Sequence, residues 1–192
     1  VARFYDPTAG TVSVDGADLR TVSKHALKSA IVVVPQEGFL FAGSILENIR
    51  LSKPEATDAE VAAAVSRIGA AEIFDRLPEG LATEVSERGS RLSAGERQIV
   101  SLARAALVDP AILILDEATS SIDPGTEALV EKAMDALMAS RTVIVIAHRL
   151  STAARCDRVG VVVDGRLAEL GTHDELVNRG EHYTELFAAW SR

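Results

Sequence analysis

The chain has 192 residues, 47% of them hydrophobic and 25% charged, with a net charge of −8 and a mean hydropathy of +0.15. A chain of this length and hydrophobic content can form the core of one domain. The excess of acidic residues and the lack of any cluster of basic residues argue against a nucleic-acid-binding protein. No apolar run approaches the ~20 residues that cross a bilayer, and the single cysteine, Cys156, excludes an internal disulfide framework.

The first third of the chain combines a hairpin, a strand and a helical stretch. Alternating residues at 11–14 followed by Asp15-Gly16 predict a β-hairpin. The apolar run at 30–34 predicts a strand buried on both faces, which ends at Pro35. Residues 44–76 follow a helical pattern, for which we predict Asp58 as an N-cap.

A long helix follows the loop at 77–92. Ser93 is predicted as its N-cap, with Glu96 three residues later completing a capping box. The helix should run to about Val108, because Pro110 cannot continue it.

The rest of the chain alternates strands and helices, which predicts a mainly parallel sheet covered on both faces. The helical stretch between residues 44 and 108 interrupts that alternation and indicates an inserted helical subdomain. Strands are predicted at 111–115, 142–147, 159–163 and 166–170, and the last two form a hairpin around Asp164-Gly165. One helix is predicted at about 126–138, and two short helices within 173–190.

Two adjacent carboxylates, Asp116 and Glu117, follow the apolar strand at 111–115. Ends of strands are where α/β proteins bind ligands. One such acid can hold Mg²⁺, usually through water, while its neighbour polarises an attacking water molecule. Taken alone, the pair could equally be a strand followed by an acidic helix N-cap.

Four further motifs accompany the carboxylates in an order that resembles the nucleotide-binding domain of the ABC superfamily. The resemblance extends over the whole chain, from residue 3 to residue 176. The motifs are Val34-Pro35-Gln36, Leu92-Ser93-Ala94-Gly95-Glu96-Arg97-Gln98, Ser120-Ser121-Ile122-Asp123 and Val145-Ile146-Ala147-His148-Arg149.

The resemblance implies a role for each matching residue. Asp116 is similar to the Walker B aspartate that holds the water shell of Mg²⁺, and Glu117 to the catalytic glutamate that orients or deprotonates the attacking water. Gln36 matches the Q-loop glutamine, which contacts Mg²⁺ and links the core to the helical subdomain. His148 matches the switch histidine that contacts the γ-phosphate, and Asp123 the D-loop aspartate that crosses a dimer interface.

Residues 92–96 resemble the family's signature motif, Leu-Ser-Gly-Gly-Gln, with Ala94 in place of the first glycine and Glu96 in place of the glutamine. In such a motif the hydroxyl of Ser93, the backbone of Gly95 and the helix N-terminus face a γ-phosphate. An ordinary capping box is compatible with the same residues. The two departures leave both a homodimer and a heterodimeric exporter open.

Two segments resemble exporters in particular. Residues 83–89, Thr-Glu-Val-Ser-Glu-Arg-Gly, are similar to the X-loop, which touches the coupling helices of the transmembrane domains. Residues 39–41 with 45–49 are similar to the segment after the Q-loop, although an amphipathic surface helix would also explain the second part.

The resemblance therefore implies a P-loop NTPase (RecA-like) α/β fold, with a core at 1–36 and 109–192 and a helical subdomain at about 37–108. It implies ATP and Mg²⁺ as cofactors and ATP hydrolysis that drives export. The expected partners are a second nucleotide-binding domain and, through the Q-loop and X-loop, the transmembrane domain of an exporter, with no nucleic acid. The expected location is the cytoplasmic face of the plasma (inner) membrane.

One family motif has no counterpart, since no Gly-x-x-x-x-Gly-Lys-Ser/Thr occurs in the sequence. The chain also begins at Val1 without an initiator methionine or a signal peptide. We therefore expect an N-terminally truncated piece that lacks the Walker A loop, the first strands and the adenine-stacking residue, and that is inactive alone. The alternatives are a soluble ABC-type ATPase and a non-catalytic dimerisation or regulatory fragment. The transported substrate is not readable from these residues.

Overall fold

The computed structural model describes residues 2–36, 38–86, 89, 91–116 and 124–190. The chain divides into two compact units, Val1–Ile144 and Val145–Arg192. Within the described residues, no helix combines the length and hydrophobicity that a membrane span requires.

The first unit contains most of the strands and helices, together with a short 3-10 helix at Gly80–Ala82. In chain order its elements are β1 (Ser13–Val14), β2 (Ala17–Asp18), α1 (Lys24–Ala30), β3 (Ile31–Val34), β4 (Gly43–Ser44), α2 (Ile45–Arg50), α3 (Asp58–Arg67), α4 (Ala71–Asp75), β5 (Glu84–Val85), α5 (Ala94–Val108), β6 (Ile112–Asp116), α6 (Pro124–Met138) and β7 (Thr142–Ile146), whose last two residues belong to the second unit.

The central sheet has the strand order β3-β6-β7. β3 and β6 run parallel, with Ile31 opposite Ile112 and Val34 opposite Leu115. Leu113 and Leu115 of β6 are fully buried, whereas Val33 of β3 is 37% exposed, so the predicted burial of the first strand on both faces is not found. The predicted strands at 30–34, 111–115 and 142–147 are confirmed to within one residue at each end.

The long helix α5 is confirmed as predicted, from the Ser93 N-cap to Val108. It ends because Asp109 takes a left-handed conformation (φ 55°) and Pro110 follows. Most of its side chains are buried, and α2 and α3 pack beside it. The core of this helical region consists chiefly of Leu40, Ile45, Ile49, Val61, Val65, Phe74, Ile99, Val100 and Leu102.

Several details of the first unit differ from the sequence predictions. The N-cap of α3 is Thr57 and not Asp58, which is instead the first residue of the helix. The predicted loop at 77–92 contains a 3-10 helix and the short strand β5. The short helix α1, capped by the Ser23 hydroxyl, was not predicted.

Thr57 outcompetes Asp58 as the cap because it completes a capping box. Its hydroxyl accepts the N–H of Glu60, and the Glu60 carboxylate accepts the N–H of Thr57 at 2.8 Å. The backbone bond to Thr57, its hydroxyl and Lys53 together lower the pKa of Glu60 from 4.5 to about 2. The same box begins α2, with Ser44 and Glu47, and α5, with Ser93 and Glu96.

Glu60→Gln should therefore lower stability at neutral pH but not at strongly acidic pH. The lowered pKa means that the ionised carboxylate stabilises the folded state above pH 4.5, and that this contribution is lost as the pH falls through about 2. Thermal melts of the two proteins across this range should converge in acid, with the exposed Glu55→Gln as a control. A difference in melting temperature that widens towards acidic pH would contradict this account.

The second unit consists of α7 (Leu150–Ala154), β8 (Val159–Val163), β9 (Arg166–Gly171), α8 (His173–Arg179) and α9 (His182–Trp190). β8 and β9 form the predicted hairpin, with positive φ at both Asp164 and Gly165. The two predicted C-terminal helices are also confirmed, and α8 begins with a further capping box of Thr172 and Glu175. Val161, Leu176 and Tyr183 form the core, and α7 was not predicted.

Candidate functional site

Gln36 and Asp116 emerge at the same edge of the central sheet. Val34 and Leu115, the residues two and one positions before them, lie opposite each other in the parallel register. Pro35 has no N–H with which to continue the ladder, so β3 ends there and leaves Gln36 exposed. Asp116 is the last residue of β6 and is half-buried. An amide oxygen and a carboxylate at adjacent strand ends match the oxygen ligands that Mg²⁺ prefers.

Three other residues were predicted for this edge of the sheet, namely Glu117, Asp123 and His148. Glu117 and Asp123 lie outside the described residues. His148 belongs to the second unit, two residues after the end of β7.

The N-terminus of α5 carries the residues predicted as a signature motif. The Ser93 hydroxyl accepts the N–H of Glu96 at 3.2 Å, and the Glu96 carboxylate accepts the N–H of Ser93 at 2.7 Å. These bonds do not involve the N–H groups of Ala94 and Gly95, which α-helical geometry leaves without an intrahelical acceptor. Together with the helix dipole, those two donors suit an anion.

The charges around this helix end are arranged unevenly. Glu96 places a carboxylate beside the two N–H donors. The guanidinium of Arg97 donates to the carbonyl of Leu92 at 2.6 Å and, among the described residues, forms no ion pair with Glu96. The negative charge of Glu96 is therefore offset by the helix dipole rather than by its neighbour.

The chain at Gly38 lies directly against α5. A Cβ at Gly38 would overlap the hydroxyl of Ser101 and approach the carbonyl oxygen of Arg97 to 2.7 Å. Only glycine fits there without a shift of the backbone. Gly38, two residues after Gln36, is thus packed against the helix that bears the signature.

The X-loop-like segment reaches the same region. β5 pairs with β4, so that Ser44 lies opposite Glu84, and the N–H of Ile45 donates to the carbonyl of Thr83 at 3.1 Å. Gly89, at φ 62°, leaves no room for a side chain, because a Cβ would come within 2.6 Å of Leu40 and 3.2 Å of Arg97. Glu87 and Arg88 lie outside the described residues.

Sequence reasoning missed a buried polar residue at the centre of this region. Asn48 on α2 is 2% exposed. Its amide oxygen accepts the N–H of Phe41 at 2.9 Å, and its amide nitrogen donates to the carbonyls of Phe41 and Ser44. Asn48 lies between Glu47 and Ile49 in a helix of mixed polarity, so the sequence carries no signal that this residue is buried.

Asn48 supports an exposed pair of aromatic rings. Phe39 and Phe41 are 44% and 55% exposed, and their rings meet edge to face with centroids 4.9 Å apart. Leu40 between them is fully buried. The segment is therefore anchored by one residue while its neighbours face outwards.

A family model described as ABC transporter matches residues 1–120. The chain belongs to the ABC transporter family. It is 49% identical over 189 residues to an uncharacterized ABC transporter ATP-binding protein, YknV, of Bacillus subtilis, covering 98% of this chain and 31% of that protein. It is 50% identical over 185 residues to a mitochondrial potassium channel ATP-binding subunit of Pongo abelii, covering 96% of this chain and 26% of that protein.

A solved structure of a bacterial Atm1-family ABC exporter with ATP bound matches 100% of this ABC chain, at 43% identity and a TM-score of 0.89. The match covers 33% of the exporter chain, so the 192 residues span a third or less of the length of these relatives. The predicted family and P-loop NTPase fold, with its parallel strands and accompanying helices, are both confirmed.

Proposed function

We propose that this chain is the ATP-binding and ATP-hydrolysing part of an ABC exporter, in which hydrolysis drives transport across a membrane. The observation that carries the proposal is the match of the whole chain to an ATP-bound exporter. ABC domains bind ATP generally, and the described residues include the matching Q-loop, Walker B and signature positions.

Within that function each residue has a distinct task. Asp116 would hold the water shell of Mg²⁺ and Gln36 would contact the ion, and Mg²⁺ held there would neutralise phosphate charge. Glu117 orients or deprotonates the attacking water, and His148 contacts the γ-phosphate. No P-loop motif occurs in the 192 residues, so no residue of this chain is assigned to it.

The signature serves a second nucleotide-binding domain. Ser93 and the N–H groups of Ala94 and Gly95 form an anion site that would complete the partner's ATP site, with Glu96 beside it and Asp123 crossing the interface. Each site of such a dimer combines Walker B residues of one domain with the signature of the other. Binding of ATP then favours the closed dimer and hydrolysis reopens it.

The transmembrane domain is the second proposed partner, with the ATP-binding part on the cytoplasmic face of the membrane. The exposed rings of Phe39 and Phe41 lie in the segment after the Q-loop, close in sequence to the β4 strand that pairs with the X-loop-like strand β5. A helical subdomain at about 37–108 would make the contacts with the transmembrane domain, and a core at 1–36 and 109–192 would bind the nucleotide.

The potassium channel relative favours a second candidate, an ATP-binding subunit that regulates a channel. Reconstitution into vesicles separates the two. An exporter moves solute against a gradient only while ATP is hydrolysed, whereas a channel subunit changes a passive flux. ATPase activity stimulated by DNA or ribosomes would instead identify a soluble ABC ATPase.

Reverting the two signature departures should raise the ATPase rate. Ala94→Gly with Glu96→Gln removes a methyl group and a charge beside the anion site, while a glutamine oxygen can still accept the N–H of Ser93. Because solvent screens this partly exposed charge, we expect the free-energy barrier to hydrolysis to fall by only about 1 kcal/mol, which raises the ATPase rate roughly fivefold. Steady-state ATPase of the complete protein in lipid measures it.

The test compares four proteins. They are the unchanged reference protein, the double reversion, Glu117→Gln, and a protein that carries the double reversion together with Glu117→Gln. In a heterodimer the gain arises at the site opposite this chain's own Walker B, so it survives Glu117→Gln. In a homodimer Glu117→Gln removes it. An unchanged or lower rate in the reversion would end the case for an asymmetric dimer, and a reference protein that hydrolyses no ATP would contradict the proposed function itself.

A further inference from the structure

Arg104 on α5 donates three hydrogen bonds, one to the backbone of Phe39 and two to Asn48 on α2. Its guanidinium donates to the carbonyl of Phe39 at 2.7 Å, to the carbonyl of Asn48 at 2.7 Å and to the amide oxygen of Asn48 at 2.9 Å. Asn48 in turn holds both backbone groups of Phe41. One arginine thus connects α5 with α2 and with the backbone that carries both exposed rings.

The partners of Arg104 indicate a geometric role. All three acceptors are neutral, and among the described residues Arg104 forms no salt bridge. Burial lowers the pKa of Arg104, so its charge is held at a cost and without a counterion. A planar guanidinium can reach several acceptors at once in a fixed geometry, which a lysine ammonium cannot reproduce.

α5 offers a continuous face to the same segment. Arg97, Ser101 and Arg104 are spaced four and three residues apart and therefore share one side of the helix. Gly38 packs on Arg97 and Ser101, and the next residue, Phe39, bonds Arg104. The segment after the Q-loop thus follows α5 for two turns.

We propose that Arg104 is a positioning residue that makes the Phe39–Phe41 pair move together with α5, so that a nucleotide-dependent shift at the signature reaches the aromatic pair. Ser93 and Arg104 lie about 16 Å apart along one unbroken helix, and a rigid helix with hydrogen bonds at its far end transmits displacement rather than absorbing it. The inference rests on the proposed function, because it assumes that α5 responds to ATP.

A thiol reporter beside the rings measures this coupling. Ala42→Cys is exposed and leaves both rings intact. It is placed in the complete protein in lipid, with Cys156→Ser and any other reactive cysteine replaced, and with Glu117→Gln to keep ATP unhydrolysed. The measured quantity is the ratio of maleimide labelling rates without and with Mg-ATP, alongside the affinity for ATP.

We expect ATP to change the labelling rate of the reporter about fivefold when Arg104 is present, and Arg104→Gln to bring that ratio to about one. ATP affinity should stay within about twofold, because Arg104 touches no nucleotide-binding residue. Arg104→Lys should give an intermediate ratio. A merely structural role would change both labelling rates alike and leave their ratio unaltered.

Arg141→Gln is the matched control. Arg141, like Arg104, is an arginine of the first unit that donates to a backbone carbonyl, in this case that of Pro110, and it also bonds the carboxylate of Asp109. Among the described residues it has no hydrogen bond to residues 38–48. It should keep the reference ratio. The inference would be overturned if Arg104→Gln kept the same ratio of labelling rates as the protein with Arg104. It would also be overturned if the protein with Arg104 bound ATP but gave a ratio of one. A protein that neither binds nor hydrolyses ATP would instead contradict the proposed function.

Discussion

Glu117→Gln should lower steady-state ATP hydrolysis by the complete transporter about 10²–10⁴-fold while ATP binding persists. The substitution keeps the size and much of the hydrogen-bonding capacity of the side chain but removes the carboxylate that we propose as the base. Asp116, which we propose to hold the water shell of Mg²⁺, is unchanged, so the proposed function predicts that the nucleotide is trapped in a closed dimer. Turnover and retained nucleotide are measured on the same preparation.

Glu131→Gln is the control for this experiment, because Glu131 is an exposed carboxylate on α6. It should leave turnover within about twofold of the reference, as surface substitutions usually do. Activity of Glu117→Gln within about threefold of the reference would show that this residue is not the base.

Asn48→Leu should be among the most destabilising single changes in the first unit. It would leave the N–H and carbonyl of Phe41, the carbonyl of Ser44 and one donor of Arg104 without their partner. Since each buried unsatisfied group costs about 1–3 kcal/mol, we expect a loss of about 3 kcal/mol or more. This corresponds to a fall of about 6 °C or more in the melting temperature.

Two further variants make the test specific to the hydrogen bonds. Asn48→Asp retains the acceptor for Phe41 and Arg104 but loses two donors, so it should be intermediate. Asn178→Leu removes an exposed asparagine that bonds only one carbonyl of its own helix, and should cost little. Scanning fluorimetry of the complete protein ranks the three. Equal melting temperatures for Asn48→Leu and Asn178→Leu would contradict a structural role for Asn48.

Sequence patterns located the regular elements well where apolar runs lay close to Pro35 or Pro110. The strands at 31–34 and 112–116 and the helix at 94–108 show this, because a buried strand and an amphipathic helix impose strict patterns. The seven residues of α1 were too few for such a pattern. At α3 two capping residues stood side by side, and the three-residue spacing from Thr57 to Glu60 decided between them.

The candidate site was predictable only in part. The strand ends placed Gln36 and Asp116 at one edge because parallel register follows from the fold. The contacts of Gly38, Asn48 and Arg104 join residues far apart in the sequence, and no local pattern encodes such pairings. The roles of Glu117, His148 and Asp123 stay predictions, of which the Glu117→Gln experiment addresses the first.

The capping box at Ser93 and Glu96 has a consequence for how genetic variants of this protein are interpreted. The same box begins α2, α3 and α8, to which no signature motif is assigned. A substitution at Ser93 therefore removes a helix cap as well as the hydroxyl that we propose as a phosphate ligand, and the missing cap alone costs about 1 kcal/mol. Destabilisation of this size can lower cellular abundance several-fold. Loss of transport in a Ser93 variant is thus evidence about the signature only after it has been corrected for the amount of folded protein.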